Sequence, residues 1–279
     1  MLTAAHCVDD AHSDYQILMG TKYLNPSEGH IIKVKRSFIH EQSNDTTFFN
    51  EIAVLELETP IDMLKCGKNC QIIEPISPTI ETQNLRASTN LFAASWGVIE
   101  DCANSDSPYC GTEEEMTAKE FLATHPYTLQ YTTLNLAECI SPSSNYHPAQ
   151  IGRNMFCVES NATPKSDTCL GDNGSSLKLK DRTGKSYAVG ITSTGRGCAQ
   201  EGYPGVYTKI SSYQRWIQNT TGIQLIEQTE KPVTETPETE HPTTTTSASK
   251  SSGGGSMGVF MLIGLIGISL LRHRNRTQQ

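Results

Sequence analysis

The chain has 279 residues, nine cysteines and a formal net charge of −8, and 36% of its residues are hydrophobic. An acidic balance argues against nucleic acid as a partner, because nucleic-acid binding depends on clustered lysine and arginine side chains that neutralise phosphates. The sequence contains no phosphate-binding loop, internal repeat or cofactor fingerprint, so we expect no cofactor.

The N-terminal part of the chain carries two polar residues that stand out. His6 lies in LTAAHC (residues 2–7), and Glu51 directly precedes the apolar run in NEIAVL (residues 50–55). Taken singly, a histidine beside a cysteine is usually structural and a glutamate before an apolar run usually marks the start of a strand.

Polar and apolar residues alternate over 31–35, 52–57 and 187–191, which predicts strands and an all-β fold.

The cysteines and the glycosylation acceptors indicate the secretory pathway. Asn44, Asn161 and Asn219 each begin an N-x-T acceptor, and nine cysteines in such a chain predict disulfides. Proximity predicts two pairs, Cys66 with Cys70 and Cys102 with Cys110. The Cys66–Cys70 spacing also suits half of a zinc site, but no second ligand pair follows at a matching interval, so we expect no metal.

The segment DTCLGDNGSSL (residues 167–177) joins the two earlier segments in one pattern. In chain order the three resemble LTAAHC, NDIALL and DSCQGDSGGPL, the histidine, acid and nucleophile segments of trypsin-like serine peptidases (the chymotrypsin-fold, peptidase S1 family). SWG (residues 95–97) and YPGVYTK (residues 203–209) resemble two further segments of that family. The resemblance runs from Leu2 to about Gly222.

The resemblance implies a triad with two substitutions. His6 matches the general base, Glu51 replaces the aspartate that orients it, and Asn173 replaces the serine nucleophile. The backbone N–H groups of Gly171 and Asn173 match the oxyanion hole. The additional methylene of Glu51 is expected to push the carboxylate into the imidazole or to force His6 aside, and such displacements cost about a hundredfold in rate.

The substrate pocket matches the family better than the triad does. Asp167 matches the carboxylate at the pocket base that pairs with lysine or arginine, and Gly195 and Gly205 match the glycines that keep the pocket walls open. Ser193 is the first residue of STG (residues 193–195), where the family has SWG. We therefore expect loss of the aromatic platform that lies beside the preceding substrate residue. The resemblance also implies disulfides between Cys139 and Cys157 and between Cys169 and Cys198.

Three functions follow as candidates. The first is a catalytically inactive peptidase homologue that binds protein or peptide ligands, including basic ones, through its cleft. The second is an active endopeptidase cleaving after lysine or arginine, which requires Asn173 to be a sequence error; the third is a structural or adhesive ectodomain. Asn173-Gly174-Ser175 is itself a glycan acceptor, and a sugar there would fill the cleft.

The family resemblance implies two antiparallel six-stranded barrels and a short terminal helix near residues 213–217. We expect the first barrel to be N-terminally truncated, because Met1 directly precedes the histidine segment and leaves Cys7 without the family's upstream partner. The domain is assigned to residues 1–222.

The C-terminal part changes composition from about Gln228. Residues 228–256, rich in Thr, Pro, Ser and Glu, predict a stalk that cannot build a core. The apolar residues 257–271 predict a transmembrane segment, and the basic residues 272–279 predict a cytosolic tail. The protein is thus expected at the cell surface as a single-pass membrane protein, with a lipid anchor or secretion as alternatives.

Overall fold

The computed structural model describes residues 1–8, 15–67, 70–99 and 127–225. Eleven strands and three α-helices lie in this part of the chain, which confirms the all-β prediction. The strands are β1 Leu2–Thr3, β2 Gln16–Met19, β3 His30–Ile39, β4 Ala53–Leu57, β5 Glu74–Pro75, β6 Leu91–Ser95, β7 Gln130–Ala137, β8 Met155–Glu159, β9 Ser176–Lys180, β10 Ser186–Thr194 and β11 Gly205–Lys209. The helices are α1 Met63–Cys66, α2 Pro78–Asn84 and α3 Gln214–Thr221.

The strands form one open sheet and one closed barrel. In the first unit, four strands lie in the order β1-β4-β3-β2, and their antiparallel pairings leave the sheet open. In the second unit, β6 to β11 close into a six-stranded barrel through the β10–β11 pairing, and β5 adds a parallel edge to β10. The second predicted barrel is therefore confirmed, whereas the described part of the first contains four strands rather than six.

The closed barrel is built from strands that alternate between interior and exterior. Leu177 and Leu179 of β9 are fully buried in its core and lie opposite Ala93 and Leu91 of β6. Burial of one such leucine contributes about 1.5–3 kcal/mol. This alternation sets the direction in which the chain enters β9, and the candidate nucleophile loop lies immediately before that strand.

A second buried cluster joins the two units. It combines Ala4 and Ile52 of the first unit with Ile191 of β10, with Ile210 of the 3₁₀ turn before α3, and with Ile217 of α3. Gly222 ends α3 in the left-handed conformation, with its N–H donating to the carbonyl of Gln218. The terminal helix predicted at residues 213–217 is thus present, and it fixes the segments that carry His6 and Glu51 against the barrel.

Three of the four predicted disulfides lie in the described part of the chain. They join Cys66 to Cys70, Cys139 to Cys157 and Cys169 to Cys198. The pair predicted between Cys102 and Cys110 falls outside the described residues, and Cys7 is a free, half-buried thiol. The Cys169–Cys198 bond ties the nucleophile loop to the segment after β10.

The predicted stalk, transmembrane segment and cytosolic tail (residues 228–256, 257–271 and 272–279) lie outside the described residues. Within the described ranges, none of the helices has the length and apolar character needed to cross a membrane.

We predict that Gly174→Ala destabilises the protein more than Gly184→Ala. Both glycines have a left-handed φ, +81° and +84°. Alanine at Gly184 meets no atom within 4 Å, so it costs only the conformational strain of roughly 1–2 kcal/mol. Alanine at Gly174 would also overlap the Thr3 hydroxyl, which adds roughly 1–3 kcal/mol.

Urea unfolding of the two variants measures this difference. Equal losses in the free energy of unfolding would show that the nucleophile loop does not press against the N-terminal segment.

Candidate active site

His6 and Glu51 form a close pair at the junction of the two units. His6 lies in a short 3₁₀ turn, Ala5–Cys7, and Glu51 lies just before β4. Glu51 Oε1 is 2.7 Å from His6 Nδ1 and also accepts the backbone N–H of His6 at 2.7 Å. The carboxylate therefore does not press into the imidazole, since Oε1 lies at hydrogen-bond distance from both the ring Nδ1 and the backbone nitrogen of His6.

The pair is buried on the side of the acid. Glu51 is 0% exposed, and its backbone carbonyl accepts the hydroxyl of Thr208 at 2.8 Å. Its second oxygen, Oε2, and the Ser193 hydroxyl are both buried without a hydrogen-bond partner in the described part of the chain. Glu51 thus keeps its hydrogen bond to His6 through Oε1. Its Oε2 is buried without a partner in that same part of the chain, which costs stability.

The protonation of His6 follows from these contacts. Burial acts to lower the pKa of the imidazole, but hydrogen bonds to Cys7 and Glu51 outweigh it and raise the pKa from 6.5 to about 10. Cys7 Sγ lies 3.8 Å from His6 Nε2. A protonated imidazole cannot accept a proton, so His6 in this setting is a hydrogen-bond donor rather than a base at neutral pH.

Asn173 lies in a loop that backbone hydrogen bonds hold tightly. The Asp172 carboxylate accepts the N–H groups of Gly97 and Cys169, both at 2.7 Å. Gly174 donates to the Thr192 carbonyl at 2.9 Å. No hydrogen bond joins the Asn173 carboxamide to the His6 imidazole in the described ranges.

The neighbouring hydroxyls do not take the place of a nucleophile. Ser175 is 0% exposed, and its hydroxyl lies 2.8 Å from that of Thr192. The Ser176 hydroxyl is buried as well, with no hydrogen-bond partner among the described residues. Both serines lie beyond the turn at Gly174, so neither hydroxyl is bonded to His6.

Gly171 and Asn173, the two residues predicted for the oxyanion hole, lie in the same turn. Gly171 has a φ of +85°, which glycine adopts without strain. Among the described residues, the backbone N–H groups of Gly171 and Asn173 donate to no protein acceptor. They remain available to an anionic or carbonyl oxygen of a ligand.

A pocket of about 210 Å³ opens beside Asn173 and contains the predicted specificity residues. Its lining includes Asp167, Asn173, Ser193, Gly195 and Gly205. A β-carbon at Gly205 would lie 3.1 Å from Asp167 Oδ1, so this glycine keeps the carboxylate accessible. A β-carbon at Gly195 would make only ordinary contact with the Gly197 carbonyl at 3.7 Å, so the structure gives no steric need for glycine there.

Asp167 is a partly exposed carboxylate at the pocket wall. Its oxygens accept the N–H groups of Thr168 at 2.8 Å and Ala199 at 3.1 Å. Burial, together with the charges of Asp172 and Glu159, nevertheless raises the pKa of Asp167 to about 6. A cationic ligand would relieve this unfavourable burial of charge.

One site residue escaped the sequence analysis. Phe48 has a φ of +55°, lines the pocket and packs edge-on against His6 with ring centroids 5.8 Å apart. The only sequence signal was an aromatic pair in the otherwise polar stretch SNDTTFFN (residues 43–50). Periodicity gives no information about such a loop, because the backbone conformation is set by tertiary contacts.

The predicted glycan acceptors are accessible. Asn44, Asn161 and Asn219 are all exposed, and none of them lines the pocket. They therefore lie apart from the candidate active site.

Comparison with known proteins gives the same family as the geometry. The family profile described as Trypsin matches residues 1–217. The chain belongs to the trypsin family of serine peptidases. It is 31% identical to a trypsin of Phaedon cochleariae over 80% of this chain and 75% of that protein.

Two further relatives extend this comparison. Trypsin-1 of Astacus astacus is 30% identical over 77% of this chain and 81% of its own length. Complement factor I of Mus musculus is 29% identical over 82% of this chain but only 34% of its own length.

We predict that Glu51→Gln moves the pKa of His6 back toward its ordinary value. The change removes the charge that stabilises the imidazolium, and NMR titration of the His6 ring measures it. Glu56→Gln removes an equal charge from β4, where Glu56 pairs instead with Lys35 and Arg36, and serves as the control.

The raised pKa also makes stability depend on pH. The stabilising contribution of protonated His6 is complete below pH 6.5 and is lost as the pH rises through about 10. The free energy of unfolding should therefore fall across this window in wild type and fall less in Glu51→Gln. Parallel curves for the two proteins would contradict the assigned interaction.

Proposed function

We propose that this protein is a catalytically inactive member of the trypsin family that binds basic protein or peptide segments through its pocket outside the cell. The observation that carries the proposal is Asn173 at the nucleophile position, beside a pocket that contains the half-buried Asp167 carboxylate. The two features separate binding from cleavage, because only cleavage needs a nucleophile.

The chemistry of Asn173 supports the loss of catalysis. In the family's mechanism, a serine hydroxyl attacks the carbonyl while the histidine takes its proton. A carboxamide has no hydroxyl or thiol proton to give up and cannot form the acyl intermediate. Loss of the nucleophile leaves only about a thousandfold acceleration over water from the remaining groups, far below a working peptidase.

The chemistry of the pocket supports binding of a cation. An arginine guanidinium donates two parallel hydrogen bonds to a carboxylate and is weakly hydrated, so it suits a partly buried site such as that of Asp167. The unpaired oxyanion-hole N–H groups of Gly171 and Asn173 can hold the carbonyl of the same residue. A basic side chain and its own carbonyl thus find partners in one cleft.

The disulfides and the family indicate an extracellular domain, and the predicted residues 257–271 extend this to attachment at the cell surface. A binding role is compatible with three cases: attachment by a membrane span, attachment by a lipid anchor, and secretion without an anchor. Comparing release of the protein from intact cells by carbonate, phospholipase or medium exchange separates these three cases.

The intact hydrogen bond between Glu51 and His6 Nδ1 favours active endopeptidase as a second candidate. That function requires serine at position 173, and sequencing the transcript across the codon decides it. A structural or adhesive ectodomain is the third candidate, and it predicts that the pocket carboxylate is dispensable.

We predict that a fluorescent peptide ending in arginine amide binds the wild-type chain and that Asp167→Asn loses at least tenfold in affinity. The full chain is produced in an oxidising host that lacks N-glycosylation. Glu58→Gln, an equal charge change at an exposed residue of the first unit, should bind like wild type. A peptide with citrulline in place of arginine keeps the shape but not the charge and should bind weakly.

Equal binding of the arginine and citrulline peptides would contradict a charge-selective pocket. Equal binding by wild type and Asp167→Asn would instead favour the structural or adhesive role.

Binding should also depend on pH through Asp167. With a pKa of about 6, the carboxylate is largely ionised at pH 8 and mostly protonated at pH 5. Affinity for the arginine peptide should therefore fall by about tenfold from pH 8 to pH 5. Asp167→Asn should show weak binding with no such change, and titration by fluorescence anisotropy measures both.

A further inference from the structure

The residue that replaces the nucleophile is also the first residue of a glycan acceptor. Asn173 is followed by Gly174 and Ser175, which completes the N-x-S pattern with a residue other than proline in the middle. This acceptor differs from those at Asn44, Asn161 and Asn219, because it lies inside the candidate active site.

The surroundings of Asn173 leave room for a substituent on its side-chain nitrogen. Asn173 is partly exposed and lines the pocket. Its carboxamide has no hydrogen-bond partner in the described ranges, whereas the exposed Asn161 Nδ2 donates to Asn135 at 2.9 Å. Two glycines with left-handed φ, Gly171 and Gly174, lie in the same turn as Asn173.

We propose that Asn173 carries an N-linked glycan that fills the cleft and keeps basic segments out of the Asp167 pocket. Nδ2 of Asn173 forms a bond to the anomeric carbon of the donor's first sugar, and the bond from that carbon to the phosphate oxygen breaks. The donor is a lipid-linked oligosaccharide pyrophosphate. The lipid pyrophosphate leaves, and the amide nitrogen loses one proton, so no oxidant or reductant is needed.

The burial of Ser175 places this modification before folding. In the folded protein its hydroxyl is inaccessible and bonded to that of Thr192. The acceptor hydroxyl is therefore free only while the chain is unfolded. The fraction of molecules that carry the glycan is set by the competition between transfer and formation of the contact between Ser175 and Thr192.

The consequence for binding follows from the position of Asn173. A glycan is bulky and hydrophilic, and Asn173 lies in the lining of a pocket of only about 210 Å³. Glycosylated molecules have a closed pocket, and molecules with a bare Asn173 have an open one. This regulatory step rests on the proposed function, whereas occupancy of Asn173 does not.

The first experiment measures occupancy. The full chain is expressed in a eukaryotic secretory host, its glycans are removed by an amidase in heavy-oxygen water, and the peptide containing residue 173 is examined by mass spectrometry. We expect heavy aspartate at position 173 in the treated sample and not in an aliquot kept in the same water without the amidase, which accounts for spontaneous deamidation of the Asn173-Gly174 sequence. Ser175→Thr keeps the acceptor and should remain modified, whereas Ser175→Ala should lose the modification.

Because Ser175→Ala also removes the bond to Thr192, Asn173→Gln provides a second loss variant that keeps the carboxamide. Asn161→Gln removes an acceptor outside the cleft and is the matched control. Both variants should lose one glycan in mass. Finding Asn173 bare in secreted wild-type protein would overturn the proposal.

The second experiment measures closure with the arginine peptide. Secreted wild type and secreted Asn161→Gln should bind at least tenfold more weakly than wild type produced in the host that lacks N-glycosylation. Equal binding by modified and glycan-free wild type would overturn closure of the pocket by the glycan. Absence of binding to glycan-free protein would overturn the proposed function, while the mass measurement would still decide occupancy.

Discussion

The close approach of the nucleophile loop to the N-terminal segment determines the candidate active site. Gly174 lies so close to the N-terminal segment that a β-carbon there would overlap the Thr3 hydroxyl and would lie 3.2 Å from Cys7 Sγ. The Asp172 carboxylate holds the same loop to Gly97 from the other side. These contacts hold the loop that carries Asn173 against the segment that carries His6.

The proposed function assigns binding and catalysis to different parts of the molecule. The pocket contains the partly exposed Asp167 carboxylate, which Gly205 leaves accessible, and partial burial raises the pKa of this group. Glu51 orients the His6 imidazole, and no hydrogen bond joins that ring to the Asn173 carboxamide in the described ranges. A cation in the pocket would offset the cost of holding the Asp167 charge partly away from water.

The sequence was most informative where chemistry depends on short segments. Residue order across LTAAHC, NEIAVL and the loop around Asn173 indicated the family, strand alternation indicated the all-β class, and the family resemblance implied the closed barrel. Proximity gave the Cys66–Cys70 pair, and the family resemblance gave the pairs of Cys139 with Cys157 and Cys169 with Cys198. In each of these cases the determining information lies within a few residues or in a pattern shared across the family.

Features that depend on side-chain reach and on distant contacts were not predictable. Glu51 was expected to press into the imidazole or to force His6 aside. Instead, its Oε1 lies at hydrogen-bond distance from both the ring Nδ1 and the backbone nitrogen of His6. The edge-on contact of Phe48 with the His6 imidazole depends on a left-handed backbone in a polar loop. The contact between Cys7 and His6 Nε2, which raises the pKa of the histidine, depends on the local 3₁₀ turn rather than on composition.

The central claim is that no atom of this protein can attack a carbonyl from the position of Asn173. Intact-mass analysis of the purified full chain after incubation with a fluorophosphonate tests it most directly, because this reagent bonds covalently to an activated serine oxygen. We expect wild type to remain unlabelled, as His6→Ala does. One covalent adduct per wild-type molecule that is absent from His6→Ala would contradict the account.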